Sequence, residues 1–281
     1  YGDLVICEGG EPGRCAIWKD QIPGMKIQKA LHRVRVHDCV DYRYLYYWFL
    51  LAGKTGELEQ YFAGATIKHM PGEKLKSVII TKPPIEVQRK IADVLWVYDD
   101  LIENNQKQIK LLEEAAQRLY KEWFVDLRFP GHETTPITDG IPEGWKEGII
   151  QDVVVYHDKK RKPLSGMQRA EMQGQYRYYG AASILDYVND YLFDGTYLLL
   201  GEDGTVVTED GFPILQYVTG KFWVNNHAHV LTGQPDYPTE YLYMMFKATK
   251  VKDVVTGAAQ PKISQARLSN KKMIIPCKEL V

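Results

Sequence analysis

The sequence lacks several features that would place it in a simple class. It has no run of about 18 apolar residues that could span a bilayer. Its opening, YGDLVICEGG, has neither the basic segment nor the apolar segment of a secretory signal. We therefore expect a cytoplasmic protein without membrane contact. The net charge of −1 gives no global attraction for nucleic acid, so any such binding must come from local basic patches.

Paired cysteines are also missing. Cys7, Cys15, Cys39 and Cys277 form no CxxC pair and have no histidine cluster beside them. This excludes a recognisable zinc site or disulfide framework. We expect reduced thiols that are mostly buried, because free cysteine is one of the most buried residue types.

Catalytic motifs are absent as well. Gly53-Lys54-Thr55 has Trp48 where a phosphate-binding loop needs glycine, and KPPI at Lys82 does not match the [DN]PP[YF] motif of amino-methyltransferases. No acidic, histidine or nucleophile constellation suggests an active site. We therefore predict no catalytic residue, no metal and no cofactor.

What the sequence does contain is ordinary globular composition, with 281 residues of which 45% are hydrophobic and 25% charged. This length is sufficient for two domains with sizeable cores. Between two β-rich parts lies one long helical pattern, Ile91 to Phe124. Pro83-Pro84 before it and Phe129-Pro130-Gly131 after it are typical helix boundaries.

Alternate steps of four and three residues along this pattern meet almost only apolar side chains, as in a heptad seam about 50 Å long. The seam consists of Ile91, Leu95, Tyr98, Ile102, Asn105, Ile109, Leu112, Ala116, Leu119 and Trp123. Asn105 is its one polar member. It either fixes the register of a coiled coil or lies on the seam of a helix that packs on a domain core. In both cases we predict that the helix needs a partner, and self-association is one way to supply it.

The chain also contains an internal repeat. GDLVICEGGEPGR at Gly2 resembles GTYLLLGEDGTVV at Gly195, and YLYYWFLLAGK at Tyr44 resembles YLYMMFKATK at Tyr241. YFAGATIKHMPGEKLKSVIITKPP at Tyr61 parallels VVTGAAQPKISQARLSNKKMIIPC, at a similar offset. We call the two occurrences copy one and copy two. Each predicts a β-rich part, a short amphipathic helix, a Gly-Ala loop and an Ile-rich strand ending in proline.

The repeat leads to an expectation about the ends. If copy one began like copy two, with a counterpart of IPEGWKEG at Ile141, about 50 residues would precede Tyr1. If copy two ended like copy one, a second long helix would follow Val281. We therefore expect a chain that is truncated at both ends, with the second helix as the natural partner of the seam.

These features resemble the specificity subunits of type I restriction-modification systems. The resemblance depends on PPIEVQRKIADVL at Pro83, RLYKEWFVDLRFPG at Arg118, IPEGWKEG at Ile141 and GAAQPKISQARLSNKKMIIP at Gly257. With the duplicated layout it covers essentially the whole chain. It implies two target-recognition domains that each read half of a split double-stranded DNA site. It also implies conserved helices that bind methyltransferase subunits, within a complex that includes restriction and translocase subunits.

The predicted fold class is α+β, with two related α/β target-recognition domains joined by a long coiled-coil-type helix. The expected divisions are 1–84 for the C-terminal part of the first recognition domain, 85–129 for the spacer helix and 130–281 for the second recognition domain.

Candidate DNA contacts follow from residue chemistry. Arginine and glutamine pair with guanine and adenine edges, and lysine binds phosphates. The candidates are Lys159, Lys160, Arg161 and Lys162, followed by Gln175, Arg177 and Tyr178, together with Lys68 and His69 in the loop of copy one and Gln260 and Lys262 in that of copy two. A solvated charged loop and simple turn chemistry remain the alternatives. For Asn225, Asn226 and His227, capping or turn hydrogen bonds are favoured over base contacts.

Three functions remain open at this point. The first is a DNA-recognition subunit without catalysis of its own. The second is the specificity region of a fused restriction-methyltransferase enzyme. The third is a coiled-coil adaptor whose globular ends bind proteins, which the near-neutral charge supports.

Overall fold

The computed structural model describes residues 1–257 and 259–281, and Ala258, in the Gly-Ala loop of copy two, lies outside the described residues. The chain forms two compact units, Tyr1–Ile109 and Lys110–Val281. This division falls within the long helix, whereas the sequence-based limits were drawn near the two helix ends. Each unit therefore contains one copy of the repeat and part of the helix.

Unit 1 is built around a small antiparallel sheet. Its elements are β1 (Leu4–Cys7), β2 (Cys15–Ile17), β3 (Leu31–Val34), α1 (Tyr42–Thr55), α2 (Gly72–Lys76) and the first part of α3 (Ile85–Tyr120). The strand order is β2-β1-β3. The inward side chains of β1 and α1 form the core of this unit, which includes Leu4, Ile6, Leu45 and Phe49.

The boundaries of α1 follow from local chemistry. The carboxylate of Asp41 accepts hydrogen bonds from the backbone N–H groups of Arg43 and Tyr44, which is the usual N-cap arrangement. Gly56 ends the helix in the left-handed conformation, with φ of 79°. Between these caps, the buried side chains recur at helical spacing and face the sheet.

Unit 2 has a larger sheet and more connecting elements. Its strands are β4 (Ile137–Thr138), β5 (Ile141–Pro142), β6 (Lys146–Ile149), β7 (Val154–Tyr156), β8 (Gln173–Tyr179), β9 (Ile184–Val188), β10 (Phe193–Gly201), β11 (Leu215–Val224), β12 (Ala228–Gly233), β13 (Val255–Thr256), β14 (Lys262–Ile263) and β15 (Lys272–Ile275). Its helices, apart from the end of α3, are α4 (Gly166–Glu171), α5 (Thr239–Ala248) and α6 (Gln265–Ser269).

The main sheet of unit 2 has the order β7-β12-β10-β11-β8-β9. Only β11 and β8 run parallel, and the other neighbours are antiparallel. Leu198, Leu200 and Leu231 lie on the face that packs with α5. Leu199 and Val230, at alternating positions, belong to a second cluster. The sheet is therefore buried on both faces at its centre.

The predicted repeat is confirmed at the level of strand register. In unit 1, Leu4 pairs with Val34, and Ile6 pairs with His32. In unit 2 the counterparts pair in the same way, because Leu198 faces Leu231 and Leu200 faces His229. β2 and β11 both pair antiparallel on the other side of the central strand. The three strands β2-β1-β3 thus have the same arrangement as β11-β10-β12.

Helix α3 confirms the long helical pattern but ends earlier than predicted. The regular helix stops at Tyr120, and one wider π-helical turn, Lys121–Val125, follows it. Phe129, at the predicted limit, lies beyond this turn and packs on Trp145, with 5.2 Å between ring centroids. Aromatic packing within unit 2 therefore replaces further helix.

One predicted strand is wrong. β15 of copy two pairs with β6, but its counterpart in copy one, residues 78–80, is not a strand. A strand requires a hydrogen-bonded neighbour. Within the described part of the chain no strand pairs with residues 78–80, so the segment remains irregular.

Of the helices within residues 1–257 and 259–281, none has the length and apolar content needed to cross a membrane.

Candidate nucleic-acid interface

Three segments that are far apart in the sequence meet at one end of the main sheet of unit 2. They are the basic cluster Lys159–Lys162, the turn Asn225–His227 between β11 and β12, and the Gly-Ala loop of copy two, residues 256–262. Glu202, which directly follows β10, lies among them. Its backbone N–H donates to the carbonyl of His227, and its carbonyl accepts from the N–H of Ile263. Strand β10 therefore brings the separate candidate segments together.

Within the basic cluster, the three lysines are exposed and the arginine is not. Lys159, Lys160 and Lys162 have exposed side chains. The backbone is held in place, since the carbonyl of Lys162 accepts a hydrogen bond of 2.6 Å from Nε1 of Trp223. The cluster thus presents three mobile cationic side chains on a fixed backbone, which suits contact with a phosphate chain.

Arg161 differs from the expectation of a surface contact. Only 13% of its side chain is exposed. Its Nη1 lies 2.6 Å from Oε2 of Glu202 and 2.7 Å from the carbonyl oxygen of Ala228, and Nη2 lies 3.4 Å from Oδ2 of Asp158. Because these groups already accept from the guanidinium, Arg161 anchors the basic cluster and is not free to meet a base or phosphate.

The candidates on β8 also divide into two groups. Gln175 and Arg177 are both exposed on β8, whose register with β9 is irregular between Gln173 and Tyr176. Tyr178 is 1% exposed and packs with Leu164. Its hydroxyl accepts a hydrogen bond of 2.9 Å from the backbone N–H of Leu164. The prediction of Tyr178 as a DNA contact is therefore corrected, because the side chain is part of the core.

The Gly-Ala loops present basic side chains in both copies. In copy one, His69 pairs through its backbone with Ala63, and the exposed Lys68 has Nζ 3.8 Å from Oε2 of Glu59. In copy two, Lys262 pairs through its backbone with Thr256, and Gln260 is exposed. In both copies a backbone pairing closes the loop, and a basic residue lies on the return arm.

The turn Asn225–His227 behaves as the sequence suggested. The side-chain oxygen of Asn225 accepts a hydrogen bond of 2.8 Å from the backbone N–H of His227. Nδ1 of His227 lies 2.5 Å from Oδ1 of Asp203. These are turn contacts, so Asn225 supports the β11–β12 connection.

The sequence analysis missed two residues at the centre of this region, Glu202 and His229. His229 is 1% exposed. Its Nδ1 lies 2.6 Å from Oδ2 of Asp158, and its Nε2 lies 2.8 Å from the carbonyl oxygen of Ile263. A carbonyl can only accept, so Nε2 carries a hydrogen and donates to Ile263, while Nδ1 faces the carboxylate of Asp158.

Both carboxyl groups beside this ring have a lowered pKa. Burial raises the pKa of Asp158, but the hydrogen bond from His229 and the other favourable contacts outweigh it, so the pKa lies below its ordinary value. Burial also raises the pKa of Glu202, and hydrogen bonds from Arg161 and Lys262 reverse that effect. The result is a partly buried network of two carboxylates with Arg161, Lys262 and the imidazole of His229.

Asp158, Glu202 and His229 are also ligand types that could hold a metal, with their ligand atoms within 4.8 Å of one another. The surrounding contacts argue against that use. Arg161 and Lys262 already bind the carboxylate of Glu202, and both nitrogens of His229 are engaged. A divalent cation would have to displace these positive groups, so the residues fit an ion-pair network and not a metal centre.

The predicted seam of α3 is exposed. Ile91, Leu95, Tyr98, Ile102, Ile109, Leu112 and Leu119 have between 38% and 70% of their surface exposed. The side of the helix that packs on unit 1 flanks the seam and includes Ala92, which has no exposed surface, and Asp99, which accepts a hydrogen bond of 2.7 Å from the hydroxyl of Tyr47. Trp123 lies outside the regular helix, in the π-helical turn, and is partly buried beside Phe124.

Comparison with known proteins gives consistent results. The family profile described as the type I restriction modification DNA specificity domain matches residues 2–114 and 142–279. The type I restriction enzyme MjaIX specificity subunit of Methanocaldococcus jannaschii is 28% identical over 98% of this chain and 67% of its own length. A putative type I restriction enzyme specificity subunit of Haemophilus influenzae, S.HindORF215P, is 31% identical over 50% of this chain and 35% of its own length.

Among solved structures, the S subunit of a type I restriction-modification system from M. genitalium aligns over 99% of this chain and 73% of its own, with a TM-score of 0.54 and 16% identity. At that identity the likeness concerns the fold alone, and it agrees with the predicted two-part α+β architecture. The family profile covers both copies of the repeat and most of the long helix between them. The chain therefore belongs to the family of type I restriction-modification DNA specificity proteins.

Proposed function

We propose that this protein is the sequence-specific DNA-recognition part of a type I restriction-modification complex and reads a bipartite target. One observation carries the proposal. In unit 2, the exposed lysines of the basic cluster and Lys262 of the Gly-Ala loop gather at one end of the sheet, although about 100 residues separate them in the chain. Local positive charge on a chain of net charge −1 is what backbone contact with DNA requires.

Within this proposal the residues take different roles. Lys159, Lys160 and Lys162 contact phosphates, because their side chains are exposed point charges. Lys262 joins them from the Gly-Ala loop, where its side chain is 48% exposed while its ammonium group also pairs with Glu202. Gln175 and Arg177, both exposed on β8, contact base edges, since their side chains form paired hydrogen bonds with adenine and guanine. In copy one, Lys68 and His69 contact phosphates. In copy two, Gln260 is a further candidate contact in the Gly-Ala loop.

The exposed seam of α3 supports a second part of the proposal, which concerns partners. An apolar stripe of this length on a helix is typical of a surface that binds another helix. We infer that it binds a helix of a second copy or of an associated chain, and that the protein thereby serves as a scaffold for methyltransferase and restriction subunits in the cytoplasm. The protein performs no chemistry of its own in this proposal, and the methyltransferase subunits supply catalysis.

An electrophoretic mobility shift with a random-sequence duplex tests the DNA-binding part. We expect binding at low salt that weakens steeply as salt rises, because each phosphate contact releases counterions. A chain that does not shift the duplex at any salt concentration would contradict the proposal and favour the protein-binding adaptor. Methylation mapping in cells that carry the whole locus would then test for a bipartite motif.

The genomic sequence around this region addresses the fused-enzyme alternative. An in-frame methyltransferase segment upstream of this region would make the chain the specificity part of a single-chain enzyme. DNA recognition by these residues would be unchanged in that case.

A further inference from the structure

The duplication extends to a set of buried side-chain contacts that the repeat pattern alone did not indicate. Glu8 and Glu202 each follow the central strand of their sheet, and His32 and His229 lie at the same register on the neighbouring strand. The backbone of one loop residue, Met70 in copy one and Ile263 in copy two, lies against both. We call each set of glutamate, histidine and loop residue a clamp.

The two clamps have equivalent backbone hydrogen bonds. The N–H of Met70 donates to the carbonyl of Glu8 over 2.7 Å, and the N–H of Ile263 donates to the carbonyl of Glu202 over 2.8 Å. The N–H of Glu8 donates to the carbonyl of Ala30, and the N–H of Glu202 donates to the carbonyl of His227 in the same way. The end of the central strand therefore fixes the amide of the loop residue in both copies.

The histidines complete the clamps from the other side. Nε2 of His32 lies 2.9 Å from the carbonyl oxygen of Met70, and Nε2 of His229 lies 2.8 Å from that of Ile263. The side chains of Met70 and Ile263 have no exposed surface. Each loop residue is thus held by its N–H, by its carbonyl and by its buried side chain.

The position of the clamp in the chain suggests its purpose. The residue directly before Met70 is His69, and the residue directly before Ile263 is Lys262. When the backbone of one residue is fixed at both its N–H and its carbonyl, the direction in which the preceding side chain leaves the loop is also fixed. In copy two, Lys262 has an additional contact, because its Nζ lies 3.2 Å from Oε1 of Glu202. The side chain of Lys262 is nevertheless 48% exposed.

The other end of each loop is constrained too. Gly64 and Gly257 have φ of 89° and 82°, and a Cβ at either position would collide with a carbonyl oxygen of the loop, that of Ile67 or of Gln260. Only glycine fits this left-handed backbone without strain. In both copies the loop is therefore constrained at its glycine and at the clamp.

We propose that the two clamps, Glu8 with His32 and Glu202 with His229, contain positioning residues that orient the two Gly-Ala loops toward the DNA backbone. This inference rests on the proposed function. It assigns one loop of the same geometry to each copy, with His69 and Lys262 as the phosphate-facing groups. Contacts of this kind hold the duplex without regard to sequence, and the unlike parts of the two copies are left to read bases.

Two substitutions of His229 separate positioning from general stabilisation. His229→Gln retains an N–H near the position of Nε2 and keeps the bond to the carbonyl of Ile263. His229→Asn retains an N–H near Nδ1 and keeps the bond to Asp158, but it loses the hydrogen bond to the carbonyl of Ile263 in the loop. Both variants replace the same ring by a neutral amide, so each serves as the control for the other. His32→Gln and His32→Asn test the bond from Nε2 to the carbonyl of Met70 in copy one, where the histidine is less buried.

We expect His229→Asn to bind a random-sequence duplex about tenfold more weakly than His229→Gln at low salt, with a smaller salt slope, as for the loss of about one phosphate contact. Hydrogen exchange of peptides that contain Lys262 and Ile263 should be faster in His229→Asn than in His229→Gln. Thermal midpoints for the two variants, measured in parallel, identify any loss that reflects unfolding. The His32 pair gives the same contrast if the His229 variants do not fold.

The outcomes separate the two proposals. If the unmodified chain fails to bind any duplex, the proposed function fails and this inference fails with it. If the unmodified chain binds, but the asparagine and glutamine variants bind equally, only the clamp inference is overturned. The same holds if the loop peptides exchange at equal rates in both variants.

Discussion

Arg161 and Glu202 form an ion pair with 2.6 Å between Nη1 and Oε2, and the two side chains are only 13% and 14% exposed. The pair links the basic cluster to the end of β10. Removing the arginine leaves a buried carboxylate without its main partner. The first prediction follows from that geometry.

We expect Arg161→Ala to destabilise the protein by roughly 3–5 kcal/mol, because breaking a buried ion pair leaves an uncompensated charge. Chemical denaturation followed by circular dichroism measures the change. Lys159→Ala, in the same cluster but exposed, is the matched control. It should leave the free energy of unfolding within about 0.5 kcal/mol and reduce the salt slope of DNA binding by about 1. If Arg161→Ala changed the salt slope but not the stability, Arg161 would again be a candidate DNA contact.

The exposed seam predicts association. Ile102→Lys combined with Ile109→Lys places two charges on the apolar stripe and should abolish self-association, because the partner helix would have to bury them. Light scattering across a concentration series measures the effect. Asn104→Lys combined with Leu111→Lys adds the same charge to the same helix away from the seam and should leave the mass unchanged. A chain that is monomeric before any substitution would contradict this prediction.

The ion-pair network predicts a stability loss in acid. The folded-state pKa values of Asp158 and Glu202 lie below their ordinary values of 3.8 and 4.5. Such groups stabilise the fold above those values, and the contribution is lost as the pH falls through the lowered folded-state values. The thermal midpoint should therefore fall steeply below about pH 4.5.

Asp158→Asn should show a lower midpoint at pH 7 and a weaker dependence on pH, so that its curve approaches that of the unmodified protein in acid. Asp253→Asn is the control. Its carboxylate pairs with Lys271 but is 62% exposed, and exposed pairs contribute little. Parallel curves for the unmodified protein and Asp158→Asn over the whole range would show that the network does not govern the acid transition.

Two glycines predict opposite effects of the same substitution. Gly257→Ala should destabilise the Gly-Ala loop by roughly 1–2 kcal/mol, since alanine disfavours φ of 82° and its Cβ would meet the carbonyl of Gln260. Gly53→Ala, inside α1 with no atom near its added Cβ, should stabilise the protein by about 0.5–1 kcal/mol. Denaturation midpoints of both variants, measured side by side, test the pair.

Periodicity was the most informative property of the sequence. The apolar spacing predicted helix α3 and located the seam that is exposed. The repeat predicted matching strand registers, which the structure reproduces pair by pair. These features depend on local backbone geometry, which short-range patterns encode. The helix end was less predictable, because the packing of Phe124 and Phe129 on Trp145 overrides local propensity.

The errors at the candidate site concern burial. Arg161 and Tyr178 have residue types that suit DNA contact, and only long-range neighbours, Glu202 and Leu164, remove them from the surface. The clamps, by contrast, were within reach of the sequence. Glu202 lies 194 positions after Glu8 and His229 lies 197 positions after His32, so a comparison of the two copies that allows small shifts in offset would have paired both.

The clamps also bear on the order in which the protein folds. Each one joins residues about sixty positions apart, so its closure carries a loop entropy that earlier contacts must already offset. The helices α1 and α5 lie inside those loops and must pack on their sheets before the clamp residues can meet. Clamp contacts then belong to the late stage of folding, and weakening one shortens the lifetime of the native state while leaving the refolding rate almost unchanged.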